Sequence, residues 1–424
     1  MKRETQAAMY SAKVISSNIE KYESTSGQKL VRIENSKRDD WREHLDKRLA
    51  LAGSVQELEP KLTHEERLFI RNERVLSTLD FRYWCHYATI QRDGGGITNF
   101  DCPWESTLLL LAFFACLEEE MHDAIAQGVM TPIAIAGQPK PAVPGILVVN
   151  NKARQMAATT LGRLVTMHRL TTQPQRRALA ASVDDDKIQE MYDRDKLVYD
   201  NLPFYLKPDL QYDEKRTHIH FDKLNSRVLY QVSSQKSGIG TGRQVDIHHL
   251  TELSTWLNPQ SVELDFFPAI PRSINTFGLE ESTPYGRGNW FHSWSERVRH
   301  GKSERWRYCY VPWYTELSKY RAAPPDDWKP SEVALLHAQK VHDTSPQYVG
   351  HAVMLPRPNL YWWERTRQEH KDGGKLNFFY TSYSATPEES FQHSTVSAFA
   401  ADLLEELRMR ARPGQAYEIV STPA

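Results

Sequence analysis

Cysteine is scarce in this chain: Cys85, Cys102, Cys116 and Cys309 are the only four, with no CxxC pair and no regular spacing. That scatter suggests neither a disulfide framework nor a cysteine zinc site, and makes a reducing, cytosolic setting the expectation. Net charge is equally scarce: 53 Lys and Arg stand against 54 Asp and Glu, a formal charge of -1. A chain so balanced is not held to DNA or a membrane by bulk charge, so any nucleic-acid contact has to come from local patches. Long apolar runs are also missing. The longest, Leu108 to Leu117, ends in Glu118-Glu119-Glu120; it has roughly half the length a bilayer needs and reads as a buried helix. The first residues, MKRETQAAMYSAKV, lack the apolar core and cleavage site of a signal peptide. The expectation is a soluble, intracellular protein with no membrane contact.

What is present is length and core. The 424 residues imply two or three domains, and 40% hydrophobic with 11% aromatic residues can build a sizeable interior. Residues 1–62 are polar and charge-dense and read as a mobile tail, partly disordered or helical, with helix around Asp40 to Leu51. Residues 63–135 read as an N-terminal helical part. Thr63 and Glu66 form a capping box at its start, and a long helix is expected from Trp104 to Ile125. From 136 to 318 the pattern is α/β. The short apolar run from Ile146 to Asn150 marks a buried parallel strand, and a helix is expected from Thr159 to Leu170. Further strands are expected near 217–221, 227–232, 245–250, 273–279 and 307–311, giving a mostly parallel sheet covered on both faces. Residues 319–424 read as a helical closing subdomain, with helices over Ser331–His342 and Phe399–Arg412.

Three constellations carry chemistry. The first follows the Ile146 strand: Lys152, Arg154, Gln155, Ala157, Ala158, Thr159 and Thr160 lie in a strand–turn–helix. Phosphate groups are cradled by backbone N–H groups at such a turn. The GxxxxGK[ST] pattern fails at Ala157 and Ala158, where glycine and lysine are expected, while Thr159 is correctly placed to hold Mg²⁺. Lys152 and Arg154, at the exposed front of the turn, supply the replacement charge. The second is the strand that ends at Thr251-Glu252. Glu252 takes the position of the acid that activates water, and Thr251 stands where an Asp is usual, offering Mg²⁺ contact through water or its hydroxyl. The third is Glu280-Glu281-Ser282-Thr283, followed by Gly286-Arg287-Gly288, read as a loop after an apolar strand that senses phosphate and moves. Each also reads as an ordinary turn or strand end when taken alone.

Taken in order, these segments resemble the ATPase domain of phage large terminase subunits. The resemblance runs from about Thr63 to Phe399. It includes Ile70-Arg-Asn-Glu-Arg, Leu79-Asp-Phe-Arg-Tyr-Trp84, Phe100-Asp-Cys-Pro-Trp-Glu-Ser-Thr107, Val311-Pro-Trp-Tyr314 and Tyr380 to Phe391. It implies a P-loop NTPase-like α/β fold, a mostly parallel sheet flanked by helices, with a helical N-terminal segment and a helical closing subdomain. It implies ATP and Mg²⁺ as cofactors, with Lys152 and Arg154 neutralising phosphates, Thr159 on Mg²⁺, Glu252 as general base, and Ser282-Thr283 coupling hydrolysis to movement. Arg243 is the candidate for a cation inserted into a neighbouring subunit's site, a contribution worth about 10³-fold or more in such enzymes. The implied partners are double-stranded DNA, a portal protein, a small terminase subunit and further copies of the chain in a ring, in the cytoplasm of an infected bacterial host. The departures are Ala157; Thr107, where a glutamine would read adenine; Ser382, where an acid is common; and the lack of an RNase H-like nuclease, so no nuclease activity is expected. Two alternatives remain: a related P-loop helicase or translocase, and a non-hydrolysing structural assembly protein that keeps the fold.

Overall fold

A computed structural model describes residues 10–92, 95–100, 104–129, 145–212, 217–233, 239–240 and 244–391. The chain divides into two compact units, Met1–Val311 and Pro312–Ala424.

The first unit is built on two sheets. A small antiparallel pair joins β1 (Thr89–Gln91) to β2 (Ile97–Asn99). The main sheet contains β3 (Ile146–Lys152), β4 (Arg177–Ser182), β5 (Leu210–Tyr212), β6 (His218–Phe221), β7 (Ser226–Val232), β8 (Ile247–Thr251), β9 (Phe277–Ser282) and β10 (Arg307–Val311). Its order is β10-β3-β9-β8-β4-β7-β6-β5. The strands from β10 to β7 run parallel, and β6 and β5 complete the edge antiparallel. β3, β8 and β9 are buried at every position, as parallel strands sandwiched between helices must be. This is an α/β fold, a mostly parallel sheet flanked by helices.

Helix Ala158–Thr172 covers one face of the sheet and helix Trp290–Arg299 the other. The side chains of His249 and His248, adjacent on β8, show this directly. His249 packs where Gly162 has no side chain, and Glu280, the partner of His248, accepts from Trp294 Nε1 at 3.0 Å. Successive strand residues point to opposite faces.

β4 and the helix Asp185–Asn201 were not expected from the sequence. The β4 segment Arg-Ala-Leu-Ala-Ala-Ser lacks the β-branched and aromatic residues that signal a strand, yet β4 sits between β8 and β7. The polar N-terminal segment also differs from a mobile tail. The helix expected around Asp40 to Leu51 is present over residues 35–52, residues 12–26 form a further one, and the backbone N–H groups of Tyr10 and Ser11 donate to the buried Glu118 carboxylate at 2.9 and 2.7 Å. Arg38 is buried, donates to Glu73 at 3.0 Å and lies 3.6 Å from the centre of the Tyr83 ring. Docking here combines buried charge and aromatic contacts with a small apolar contribution from Val14, Ile15 and Leu45.

The capping box at Thr63 and Glu66 is formed, and the long helix spans Glu105–Ala126. In the second unit, helices Glu332–Thr344, Arg357–Asp372 and Leu376–Ser382 pack about Trp313, His337, Trp363 and Phe379. His337 stacks on Trp363 at 3.8 Å, and burial pushes its pKa down to about 3. The expected helix over Phe399–Arg412 lies outside the described residues. No described helix is long and apolar enough to cross a membrane.

Candidate nucleotide site

Three neighbouring parallel strands end level with one another. Asn150 of β3 is in register with Glu281 of β9, and Glu281 with Thr251 of β8. Adjacent strands lie about 4.8 Å apart, so Lys152, Ser282, Thr283 and Glu252 gather along one short stretch of the carboxyl edge. Ligands of open α/β sheets bind at such an edge. The N-terminus of helix Ala158–Thr172 follows directly from β3 and brings Thr159 to the same place.

Glu281 is the hub of this edge. It is completely buried. Its Oε1 accepts from the Thr159 hydroxyl at 2.5 Å and lies 3.1 Å from His249 Nε2, while Lys152 Nζ stands 3.6 Å from Oε2. Burial alone would raise the Glu281 pKa; Lys152, His249 and Thr159 outweigh it and bring the carboxyl down to about 2. An ionised carboxylate only accepts hydrogen bonds, which places the proton of His249 on Nε2. Among the described residues, Glu281 Oε2 and both side-chain polar atoms of Asn150 are buried here without a hydrogen-bond partner. Buried polar atoms are rarely left unpaired without a reason.

Lys152 departs from its expected setting. It is the last residue of β3 and is buried, not the start of an exposed turn. It reaches the edge from within the sheet, paired with Glu281. Arg154 and Gln155 are exposed on the turn itself. Gln155 (φ 55°) and Ala157 (φ 50°) both adopt left-handed backbone, a conformation that costs a non-glycine residue roughly 1–2 kcal/mol. The turn therefore keeps the backbone shape glycine would favour without having the glycine. Ser106 supports it by donating to the Met156 carbonyl at 2.9 Å, and the Ala153 N–H is tied to the Val311 carbonyl at 2.8 Å. Ala158 is buried as the first helical residue, and no side chain caps the helix. No side chain therefore satisfies the N–H groups of its first turn, the kind of position where anions are bound in other proteins. Thr160 accepts from Arg194 at 2.7 Å.

Glu252 follows β8 directly, half-buried, in left-handed backbone (φ 59°, ψ 32°). Strained non-glycine residues of this kind cluster at functional sites. Thr251 is buried on β8, and its carbonyl accepts from Trp256 Nε1 at 3.0 Å. Ser282 departs from the loop reading: it is the last residue of β9, fully buried, and Thr283 is the first residue beyond the strand. Arg243 lies outside the described residues. Residues 297–307 hold Arg297, Arg299, Lys302, Arg305 and Arg307; Arg297 donates to Glu263 at 2.7 Å and Arg305 to the Pro271 carbonyl at 2.9 Å, so two of these cations are already committed within the chain.

The sequence reading missed Glu281 and His249 as site residues. The signal was a double one. The pairs His248-His249 and Glu280-Glu281 sit on neighbouring strands, and each histidine meets the acid of its own face, at 3.1 Å in both cases.

No protein-family model matches the chain, and no curated protein matches it. Among solved structures it is similar to the large terminase of bacteriophage HK97, at 12% identity and a TM-score of 0.41, over 67% of this chain and 58% of that one. It is similar also to the large terminase ATPase domain of Thermus phage P74-26, at 14% identity and a TM-score of 0.36, over 56% of this chain and 87% of that one. The chain thus spans somewhat over half the length of the HK97 protein.

Proposed function

We propose that this chain is the ATP-hydrolysing motor subunit of a phage large terminase, acting on double-stranded DNA. The observation that carries the ATP reading is the meeting of Lys152, Thr159 and Glu281 beneath an uncapped helix N-terminus. The unpaired Glu281 Oε2 and Asn150 side chain beside it fit a site made to receive a polyanion with its cation. When bound, ATP with Mg²⁺ supplies the phosphoanhydride bond and the charge that eases its cleavage.

The residues of the chain divide the remaining work. Lys152 and Arg154 offset phosphate charge, and the N–H groups at Ala158, Thr159 and Thr160 orient the phosphate oxygens. The Thr159 hydroxyl faces the cation. The Glu252 carboxylate orients the attacking water and takes its proton, the role of a general base. Ser282 and Thr283 transmit the change to the rest of the chain. Arg243 is kept as the cation offered to a neighbouring copy, with a portal protein and a small terminase subunit completing the assembly. No nuclease activity is part of the proposal.

The test is a titration with MgATP followed by phosphate release, with and without duplex DNA. Binding, with release accelerated by DNA, supports the motor. Binding without release in any assembly favours a structural protein that keeps the fold, and absence of binding defeats the ATP reading.

A further inference from the structure

We infer that Glu281, on β9, supplies the carboxylate that faces the nucleotide-bound magnesium ion, a role that β8 leaves empty by carrying Thr251 where an Asp is usual. The inference rests on the ATP reading above and names the residue that completes its metal side.

Thr251 and Glu281 are direct cross-strand partners in parallel strands, so their side chains leave the same face of the sheet about 4.8 Å apart. An acid moved from one position to the other still points toward helix Ala158–Thr172. The contacts give the direction: the Thr159 hydroxyl donates to Glu281 Oε1 at 2.5 Å. The hydroxyl at that place in a phosphate loop is the group that meets Mg²⁺, and the carboxylate is already against it.

A buried counter-ion for Lys152 is the plainer role for such an acid, and the geometry argues against it as the whole explanation. Lys152 Nζ is 3.6 Å from Oε2, too far for a hydrogen bond. Oε2 accepts no hydrogen bond at all although it is buried. A carboxylate kept only for pairing would be expected to satisfy both oxygens, since an unmet buried acceptor carries the full desolvation penalty. Oε1, by contrast, is held from two sides, by Thr159 and by His249 at 3.1 Å. On the helix side His249 packs closely against Gly162, its Cε1 2.6 Å from the place a Cβ would take. The carboxylate is therefore fixed through one oxygen, while the other keeps its acceptor capacity for a cation or the water that a cation carries.

The test is equilibrium binding of a fluorescent ATP analogue, mant-ATP, with magnesium and with excess EDTA. Wild type should bind more tightly with magnesium. Glu281→Gln should reduce that enhancement at least about tenfold, the scale on which lost metal-site partners act, with magnesium-free affinity unchanged or higher. A purely structural acid would lose affinity alike under both conditions, and that outcome, or an unchanged enhancement, overturns the inference while leaving the ATP reading intact. Absence of mant-ATP binding by wild type overturns the ATP reading itself, and this inference with it. If circular dichroism shows Glu281→Gln unfolded, Glu281→Asp decides. It keeps the charge beside Lys152 but draws the carboxylate back by one methylene, and should lower the enhancement at least about threefold; no change overturns the inference.

Discussion

The Ser254 hydroxyl lies 2.7 Å from the Ser282 hydroxyl, and the Ser254 N–H donates to the same Ser282 oxygen at 3.1 Å. The Ser254 hydroxyl is also 2.6 Å from the Thr283 carbonyl. The short turn immediately after Glu252 is thereby fastened to the end of β9. Replacing Ser282 by Ala leaves the buried Ser254 N–H without its acceptor, at a cost of about 1–3 kcal/mol, and loosens the turn that aims Glu252. The expected outcome is a lower melting temperature, mant-ATP affinity close to wild type, and phosphate release slowed about tenfold or more. Release at the wild-type rate would show that this clamp does not position the base.

Lys152→Ala is expected to act on the fold as well as on nucleotide. The residue ends a buried strand and neutralises a fully buried carboxylate. Removing one member of a buried ion pair costs about 3–5 kcal/mol. Urea denaturation should show that loss, together with loss of mant-ATP binding. A variant of unchanged stability would place Lys152 in solvent.

The same pair sets a pH dependence. The Glu281 carboxyl is lowered from its ordinary 4.5 to about 2: burial opposes its ionisation, but Lys152, His249 and Thr159 together prevail. A depressed carboxyl contributes stability that is fully present above its unfolded pKa and is lost as pH falls toward the folded value. The stability gap between wild type and Lys152→Met should thus be widest near neutral pH and should narrow as pH falls from about 4.5 toward 2. Denaturation midpoints measured across that range check it; a gap independent of pH would contradict the pairing.

Gly162→Ala tests the seat of His249. The added methyl would lie 2.6 Å from His249 Cε1 and 2.8 Å from both ring nitrogens. Because His249 Nε2 is engaged with Glu281, the ring has little room to yield, and overpacking of this kind costs about 1–3 kcal/mol. A fall in melting temperature is expected, and an unaltered melt would mean that the ring moves freely.

Much of the sheet was legible because its strands are short apolar runs bounded by turns, as at Ile146 and Arg307. β4 was not, since Arg177 to Ser182 is alanine-rich and owes its strand state to neighbours on both sides. The helix around Asp40 to Leu51 was legible, but the docking of this segment was not, because Arg38, Glu73 and Glu118 hold it, and buried charge leaves no periodic apolar trace. At the candidate site, only the positions of Thr159 and Glu252 just beyond strand ends were legible in the sequence. Glu281 was not. An acid pair near a strand end reads as solvent-facing, and what makes it otherwise is contact with Thr159 and His249, 122 and 32 residues away in sequence.

The central claim is that Glu252, held in strained backbone at the end of β8, is the base of an ATP site. Glu252→Gln preserves size and hydrogen bonding but cannot take a proton from water. The direct measurement is mant-ATP binding and phosphate release for wild type and Glu252→Gln side by side, with magnesium and duplex DNA. Equal binding, with release slowed by about 10²–10⁴-fold in the variant, is the predicted result. Release by Glu252→Gln at the wild-type rate would contradict the account.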